Sequence, residues 1–238
     1  MAQTKKYCEI HGEYYSETIE WGETSFNQPC PACADLRTEA REEQERKEQA
    51  NHEGEKCISL GIDKRNAGIN LKNYNPRSNQ LSAHDLALKF VDRFDEMKDQ
   101  GKTLILIGGL GTGKTRLAQA ILQTLNTGKY IRVIDIGRQV RASYKNSKTE
   151  TEVIESFANC DLLVIDEIGV QSDTDAEVML ITDIIDRRYA KMKATIICSN
   201  LSKDKLITQF GERAWSRLQH NCVIKTITGE SHRVRETK

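Results

Sequence analysis

From about residue 57 onward, short runs of β-branched and other apolar residues alternate with stretches in which apolar residues recur every three or four positions. The runs predict strands at residues 103–107, 131–136, 162–165, 195–198 and 223–227. The periodic stretches predict helices at residues 114–125, 137–144, 152–157, 176–189 and 203–218. Because strands that alternate with helices form βαβ units, we expect an α/β domain with a parallel sheet and helices on both faces.

The first 56 residues lack this alternation. Residues 1–33 are rich in aromatic residues and turn formers, whereas residues 34–56 are almost purely Ala, Glu, Gln, Arg and Lys, with no apolar stripe after Leu36. Glu–Arg and Glu–Lys pairs can hold such a segment helical, but it has no core of its own, so it is expected to be a helical or partly disordered connector. The sequence therefore predicts a small domain at 1–35, a linker at 36–57 and the main domain at 58–238.

Composition narrows the class of protein. The chain has 238 residues, with 35 basic and 35 acidic side chains, and this zero net charge excludes a uniformly basic nucleic-acid coat but not local basic patches. Its apolar runs are far shorter than the ~18 residues that span a membrane. The first ten residues lack the apolar stretch of a secretory signal, so we expect a cytoplasmic protein.

A glycine-rich loop lies between the first predicted strand and helix of the main domain. Residues 108–115 read GGLGTGKT and fit G-x-x-x-x-G-K-[ST]. Glycines let backbone N–H groups turn toward a phosphate chain, the lysine reaches the β- and γ-phosphates, and the threonine hydroxyl serves Mg²⁺. The pattern predicts a nucleoside triphosphate site, ATP with Mg²⁺, formed by Gly108, Gly109, Leu110, Gly111, Thr112, Gly113, Lys114, Thr115 and Arg116.

Acidic and amide residues follow two of the later predicted strands. Residues 162–167 read LLVIDE, which delivers Asp166 to the edge of the sheet where ligands bind in parallel α/β folds. Asp166 is expected to hold the metal with Thr115, and Glu167 to polarise an attacking water, so hydrolysis is favoured over mere nucleotide binding. Asn200 can orient that water or sense the γ-phosphate, or it can only cap the helix that begins near Ser202.

The seven cysteines are odd in number, which is inconsistent with a fully paired disulfide framework. Cys57, Cys160, Cys198 and Cys222 adjoin apolar segments and are expected in the core. The remaining ones form the pattern Cys8-x₂-His11 and Cys30-x₂-Cys33, which predicts a four-ligand Zn²⁺ ribbon rather than a tail with chance cysteines. A domain of this size needs a metal to fold. His52 and Cys57 are spare ligand candidates.

The main domain resembles the bacterial replicative-helicase loaders of the DnaC type, a branch of the AAA+ ATPases, over residues 58–238. The motifs that carry the resemblance are GIDKRNAGINLKNY, GGLGTGKT, LLVIDEIGVQSDTDAE, DIIDRRY, IICSN and GERAWSRL. It implies roles for Asn200 as first sensor, for Arg217 as the arginine finger that reaches a neighbouring subunit's nucleotide, with Arg213 second in line, and for Arg233 as second sensor. Without the resemblance, Arg213 and Arg217 would be taken for surface pairs on a helix.

Basic residues at spacings of three, four and three lie on one helical face before the acidic motif. In the resembled family this zone is similar to the part that contacts single-stranded DNA, whereas an isolated run of this kind would be a solvated face. Tyr144 could stack on a base. The DNA candidates are Arg138, Arg141, Tyr144, Lys145 and Lys148.

The resemblance therefore implies an ATP-dependent loader that self-assembles through Arg217 and places a replicative ring helicase of the DnaB type on single-stranded DNA. A transposition helper that coats duplex DNA and recruits a transposase is the alternative, and an adaptor that uses nucleotide only as a switch is a third. The first 56 residues depart from the helical helicase-binding region of the better-known loaders, so the ribbon is interpreted as a docking module.

Overall fold

The computed structural model describes residues 3–21, 24–144, 149–169, 175–229 and 231. The chain divides into two compact units, Met1–Glu53 and Gly54–Lys238. In the first unit the strands are β1 (Gln3–Cys8), β2 (Gly12–Trp21) and β3 (Thr24–Asn27). Helix α1 covers Pro31–Ser59, so the division between the units falls within this helix.

The elements of the second unit alternate as the sequence predicts. Its strands are β4 (Thr103–Ile107), β5 (Lys129–Arg132), β6 (Leu162–Ile168), β7 (Ala194–Ser199) and β8 (Cys222–Thr226). Its helices are α2 (Leu81–Asp92), α3 (Phe94–Met97), α4 (Lys114–Leu125), α5 (Val133–Ser143), α6 (Glu150–Ala158), α7 (Asp175–Ala190) and α8 (Lys203–Gln219). None of the helices in the described residues is long and apolar enough to cross a membrane.

The first unit is a three-stranded antiparallel sheet followed by a charged helix. The strand order is β1-β2-β3, and Cys8 pairs with Gly12 where the first hairpin turns. Along α1, i,i+4 ion pairs join Arg41 to Glu45 and Lys47 to Glu43. Such pairs stabilise a helix that has no apolar stripe. Of the two alternatives for the connector, the structure shows the helix.

The second unit contains a five-stranded parallel sheet in the order β5-β6-β7-β4-β8. Successive residues of a strand face opposite sides, so Leu104 and Leu106 join one core cluster with α2 and α4, while Ile105 and Ile107 join the other with α5 to α8. The parallel sheet with helices on both faces confirms the predicted α/β class. Cys57 and Cys198 are buried in the core, and Cys160 and Cys222 pack half-buried against it.

The predicted boundary between the strand at 131–136 and the helix at 137–144 was wrong. The strand predicted at 131–136 ends at Arg132, because Val133, Ile136 and Val140 are buried at helical spacing and belong to α5. Helix α2 was not predicted at all, although its buried residues Ala83, Ala87 and Phe90 recur at the spacing of one helical face.

Candidate functional site

The phosphate loop joins β4 to α4, as the motif predicts. Gly111 and Gly113 have φ values of 77° and 98°, a left-handed conformation that glycine adopts without steric cost. The Lys114 side chain is 8% exposed, and its ammonium donates to the carbonyl oxygens of Gly108 and Gly109, each at 2.7 Å. The amino end of α4 and its lysine therefore face the inside of the loop, where anions bind.

The other predicted residues of the phosphate loop differ in burial and in their contacts. Thr112 is buried and its hydroxyl donates to the Gly109 carbonyl at 3.0 Å. Thr115 is half-buried on the first turn of α4, whereas Leu110 is exposed. The Arg116 guanidinium lies over the Tyr74 ring, 5.7 Å from its centroid, a cation–π contact.

Asp166 lies near the end of β6 with both carboxylate oxygens hydrogen-bonded. The Tyr130 hydroxyl donates to Oδ2 at 2.8 Å, and the Glu167 N–H donates to Oδ1 at 2.7 Å. Glu167 has a φ of 62° and lies in a register irregularity between Ile165 and Ile168. A left-handed conformation is uncommon for a residue other than glycine and is often found at functional sites.

Strand β7 lies between β4 and β6 and links their carboxyl ends. The Ser199 hydroxyl donates to the Ile168 carbonyl at 2.8 Å, and the Ser199 carbonyl accepts from the Gly108 N–H at 3.2 Å. Burial raises the pKa of the neighbouring Cys198 thiol, with Asp166 adding to the rise and Lys114 opposing it. Asn200 follows Ser199 directly and is exposed at this edge.

Two contacts at this site involve residues that the sequence reasoning missed. Tyr130 is buried on β5, and desolvation together with Asp166 raises the pKa of its phenol, so it remains a donor. Gln80 ends the short 3₁₀ helix Ser78–Gln80, the lead-in to α2, and contacts the phosphate loop. Position on β5, next to β6, could have suggested Tyr130, but nothing in the sequence indicates the contact of Gln80.

Of the predicted arginines of the carboxyl-terminal part, the two in the described residues, Arg213 and Arg217, lie on α8. Arg217 on α8 forms an ion pair with Asp186 on α7 and lines a surface cavity of about 460 Å³ with Tyr189 and His220. Arg213 is exposed on α8, and Arg233 lies outside the described residues.

The structure brings three of the five DNA candidates together on α5 and the residue that follows it. Arg138, Arg141 and Tyr144 are exposed, and Lys145 and Lys148 lie outside the described residues. Acidic groups are close: Arg138 donates to Asp135 at 2.9 Å, and the Tyr144 hydroxyl donates to Glu150 at 2.6 Å.

The four predicted metal ligands of the first unit converge. The ligand atoms of Cys8, His11, Cys30 and Cys33 all lie within 4.8 Å of one another. His11 Nδ1 is 3.3 Å from the Cys33 sulfur, 3.7 Å from that of Cys30 and 3.8 Å from that of Cys8, and the Cys8 and Cys33 sulfurs are 3.5 Å apart. Bonds of about 2.3 Å to sulfur and 2.0 Å to nitrogen in a tetrahedron place ligand atoms roughly 3.5–3.8 Å apart. The cluster therefore has the size of a tetrahedral metal site.

The chemistry of the donors fits a metal as well. The backbone N–H groups of His11 and Ile10 lower the pKa of the Cys8 thiol to about 6, because they stabilise its thiolate. Hydrogen bonding with Cys8 and desolvation raise the pKa of Cys33 to about 11, since two close sulfurs resist a second negative charge, a repulsion that a bound cation would offset. Of the spare candidates, Cys57 donates to Gln123 Oε1 instead, and the His52 side chain lies outside those described.

A comparison with family models covers the second unit and part of α1 but not the sheet of the first unit. The model of a family described as IstB-like ATP binding protein matches residues 43–238, and the four-ligand cluster precedes this range. The replicative helicase loader DnaC of Escherichia coli (strain K12) is 34% identical over 164 residues, which cover 66% of this chain and 66% of that protein. The alignment thus spans slightly less than two thirds of this relative.

Two solved structures superpose on about 70% of this chain. A crystal structure of the DnaC helicase loader superposes with a TM-score of 0.62 at 28% identity, covering 69% of this chain and 99% of that one. A crystal structure of DnaI superposes with a TM-score of 0.60 at 20% identity, covering 70% of this chain and 95% of that one. At that identity the second match shows the fold alone.

Proposed function

This chain belongs to the family of IstB-like ATP binding proteins, and we propose that it is an ATP-hydrolysing loader that places a replicative ring helicase on single-stranded DNA in the cytoplasm. One observation carries the proposal: Lys114, which begins α4 after β4, and Asp166, near the end of β6, lie at the carboxyl edge of one parallel sheet, in a fold similar to that of a protein named helicase loader. The name of the similar loaders favours this function over the transposition helper.

ATP would bind with its phosphates in the loop that precedes α4. Lys114 would exchange the Gly108 and Gly109 carbonyls for phosphate oxygens, which it reaches by rotation of its flexible stem. Thr115 and Asp166 would hold Mg²⁺, which supplies the positive charge that neutralises the phosphate oxygens. The Tyr130 hydroxyl and the Glu167 N–H keep Asp166 in one orientation for that role.

Hydrolysis would depend on Glu167, which lies one residue beyond Asp166 and would accept a proton from the attacking water. Asn200, exposed at the end of the adjoining strand, would orient that water. We expect Glu167→Gln to bind ATP normally and to lose at least about a hundredfold in single-turnover hydrolysis. Glu96→Gln, which alters an exposed glutamate on α3, is the control and should leave the rate unchanged. Equal and measurable rates for wild type and Glu167→Gln would show that Glu167 is not the base, whereas negligible hydrolysis in both would reduce the protein to a nucleotide switch.

Arg217 would complete the site of a neighbouring subunit. Its guanidinium pairs with Asp186 within the chain and would exchange this carboxylate for the neighbour's γ-phosphate, where an arginine stabilises the charge of the transition state. Arg233 would contact the γ-phosphate within its own subunit. Arg217→Ala should hydrolyse ATP slowly, and a mixture with Glu167→Gln should recover activity, because each variant supplies what the other lacks. No recovery in the mixture would exclude an arginine acting between subunits. Arg93→Ala, on the surface beside Glu96, is the control.

The basic face around α5 would contact the DNA through Arg138, Arg141, Tyr144, Lys145 and Lys148. The exposed guanidinium groups of Arg138 and Arg141 attract the phosphate backbone, and the exposed Tyr144 offers a surface for stacking. Replacing Arg141 and Lys145 by Glu should abolish binding of a fluorescent single strand. Unchanged affinity with an unchanged salt slope would refute the assignment, and a preference for duplex would favour the transposition helper.

Zn²⁺ would be held by Cys8, His11, Cys30 and Cys33, whose spacing of 3.3–3.8 Å around His11 fits a tetrahedron. Four protein ligands leave no open position, so the metal would supply folding energy rather than catalysis. We assign residues 1–35 to this domain, which would dock onto the helicase or another replication protein, 36–57 to the linker and 58–238 to the ATPase. Loss of helicase binding on deletion of residues 1–35, with ATP binding retained, tests the assignment.

A further inference from the structure

The side chain of Gln80 connects the segment before α2 to the phosphate loop. Gln80 is 4% exposed, and its Nε2 donates to the Thr112 carbonyl oxygen at 2.8 Å. Its Oε1 accepts from the Arg77 N–H at 3.1 Å and from the Tyr74 hydroxyl at 3.4 Å. With partners on both the oxygen and the nitrogen, the amide is fixed in one orientation.

The carbonyl that Gln80 binds belongs to the peptide unit between Thr112 and Gly113. In a trans peptide the C=O and the following N–H point in opposite directions. A carbonyl held by Gln80 therefore directs the Gly113 N–H away from Gln80. The contact is close, because a Cβ on Gly113 would lie 2.3 Å from Gln80 Nε2.

The other end of the loop is held differently. Lys114 donates to the carbonyls of Gly108 and Gly109, and these two bonds are given up if the ammonium turns to a phosphate. The bond from Gln80 reaches the loop from the lead-in and does not involve Lys114. It can hold the peptide orientation both before and after nucleotide binds, which lowers the ordering cost of binding.

We propose that Gln80 is a positioning residue for nucleotide binding, which orients the Thr112–Gly113 peptide so that the Gly113 N–H faces the phosphates. The inference rests on the proposed function, since it concerns the same triphosphate site. Gln80 does not belong to the loop motif, and it acts through the backbone of that motif.

The experiment is calorimetric titration of the full chain with ATP and Mg²⁺. Gln80→Glu keeps the size of the side chain but, when ionised, offers no donor to the Thr112 carbonyl, so we expect a dissociation constant about tenfold higher. Gln80→Met removes the donor without adding charge and should weaken ATP binding several-fold. Gln100→Glu places the same charge on an exposed turn and should bind like wild type.

A pH series separates positioning from a merely structural role. In Gln80→Glu the introduced carboxyl regains an O–H donor when it is protonated, so the variant-to-wild-type ratio of dissociation constants should fall as the pH is lowered from about 8 to 5.5. The titratable and charged groups around this position are Arg77, whose N–H donates to Gln80, Tyr74, His84 stacked on Tyr74, and Arg116 over the Tyr74 ring. They occur in both proteins, so their own titration is common to the ratio.

The possible outcomes are distinct. Wild-type affinity in Gln80→Glu, or a deficit that stays constant across the pH series, overturns the inference about Gln80 and leaves the proposed function intact. Absence of ATP binding in the wild type overturns both. If circular dichroism shows that Gln80→Glu does not fold, Gln80→Met decides, and unchanged affinity in that variant overturns the inference.

Discussion

Gly113→Ala tests the packing between the phosphate loop and the lead-in through stability alone. Gly113 has a φ of +98°, and an L-residue in the left-handed region costs about 1–2 kcal/mol. The new Cβ would lie 2.3 Å from Gln80 Nε2, so Gln80 must leave the Thr112 carbonyl. Loss of that buried hydrogen bond costs about 1–3 kcal/mol. Together, the free energy of unfolding should fall by roughly 2–5 kcal/mol.

The assay is urea denaturation of the nucleotide-free protein followed by circular dichroism. Gly109→Ala is the matched control, because a Cβ there meets only Thr112 Cγ2, at an ordinary contact distance of 3.8 Å. Its effect should stay within about 0.5 kcal/mol. The same free-energy change in both alanine variants would refute the reasoning.

A double-mutant cycle isolates the clash. In a Gln80→Ala background the obstructing amide is absent, so Gly113→Ala should cost only the backbone share of about 1–2 kcal/mol. A coupling energy of roughly 1–3 kcal/mol is therefore expected between the two positions. Strictly additive effects would show that the two residues do not touch.

Three further substitutions test the contact of Tyr130 with Asp166, the buried guanidinium of Arg188 and the metal cluster. Tyr130→Phe leaves Asp166 Oδ2 without its donor, so the free energy of unfolding should fall by about 1–3 kcal/mol. Mg²⁺-dependent ATP binding, measured by calorimetry, should also weaken. Wild-type values in both measurements would contradict this role of Tyr130. Arg188→Met should lower the free energy of unfolding in urea by about 3 kcal/mol or more, because the buried guanidinium donates hydrogen bonds to the carbonyls of Phe157, Cys160 and Ala194. Arg187→Ala, at the half-buried neighbouring position, should lower it far less. Cys30→Ser should reduce the zinc content, measured by atomic emission, whereas Cys222→Ser should retain it; full zinc in Cys30→Ser would argue against the four-ligand site.

The phosphate loop and the acid motif could be placed from the sequence because their chemistry is local. Gly108 to Thr115 must follow a strand and begin a helix, and the structure has β4 and α4 on either side at the predicted bounds. The boundary at Arg132 could not be placed, because Ile131, Val133 and Ile136 are apolar in either a strand or a helix. Whether such residues face a sheet neighbour or a helical layer depends on contacts distant in sequence.

The sequence by itself predicted the α/β class, the glycine-rich loop between β4 and α4, the acid near the end of β6, and the four clustered candidate metal ligands, since each follows from residue type and spacing. Only the tertiary structure decided that Tyr130 holds Asp166, that Gln80 holds the Thr112 carbonyl, and that Arg217 pairs with Asp186. The physical reason is that a hydrogen bond needs an atom within about 3 Å, and residues 32 or 36 positions apart come that close only when the sheet and its helices have assembled.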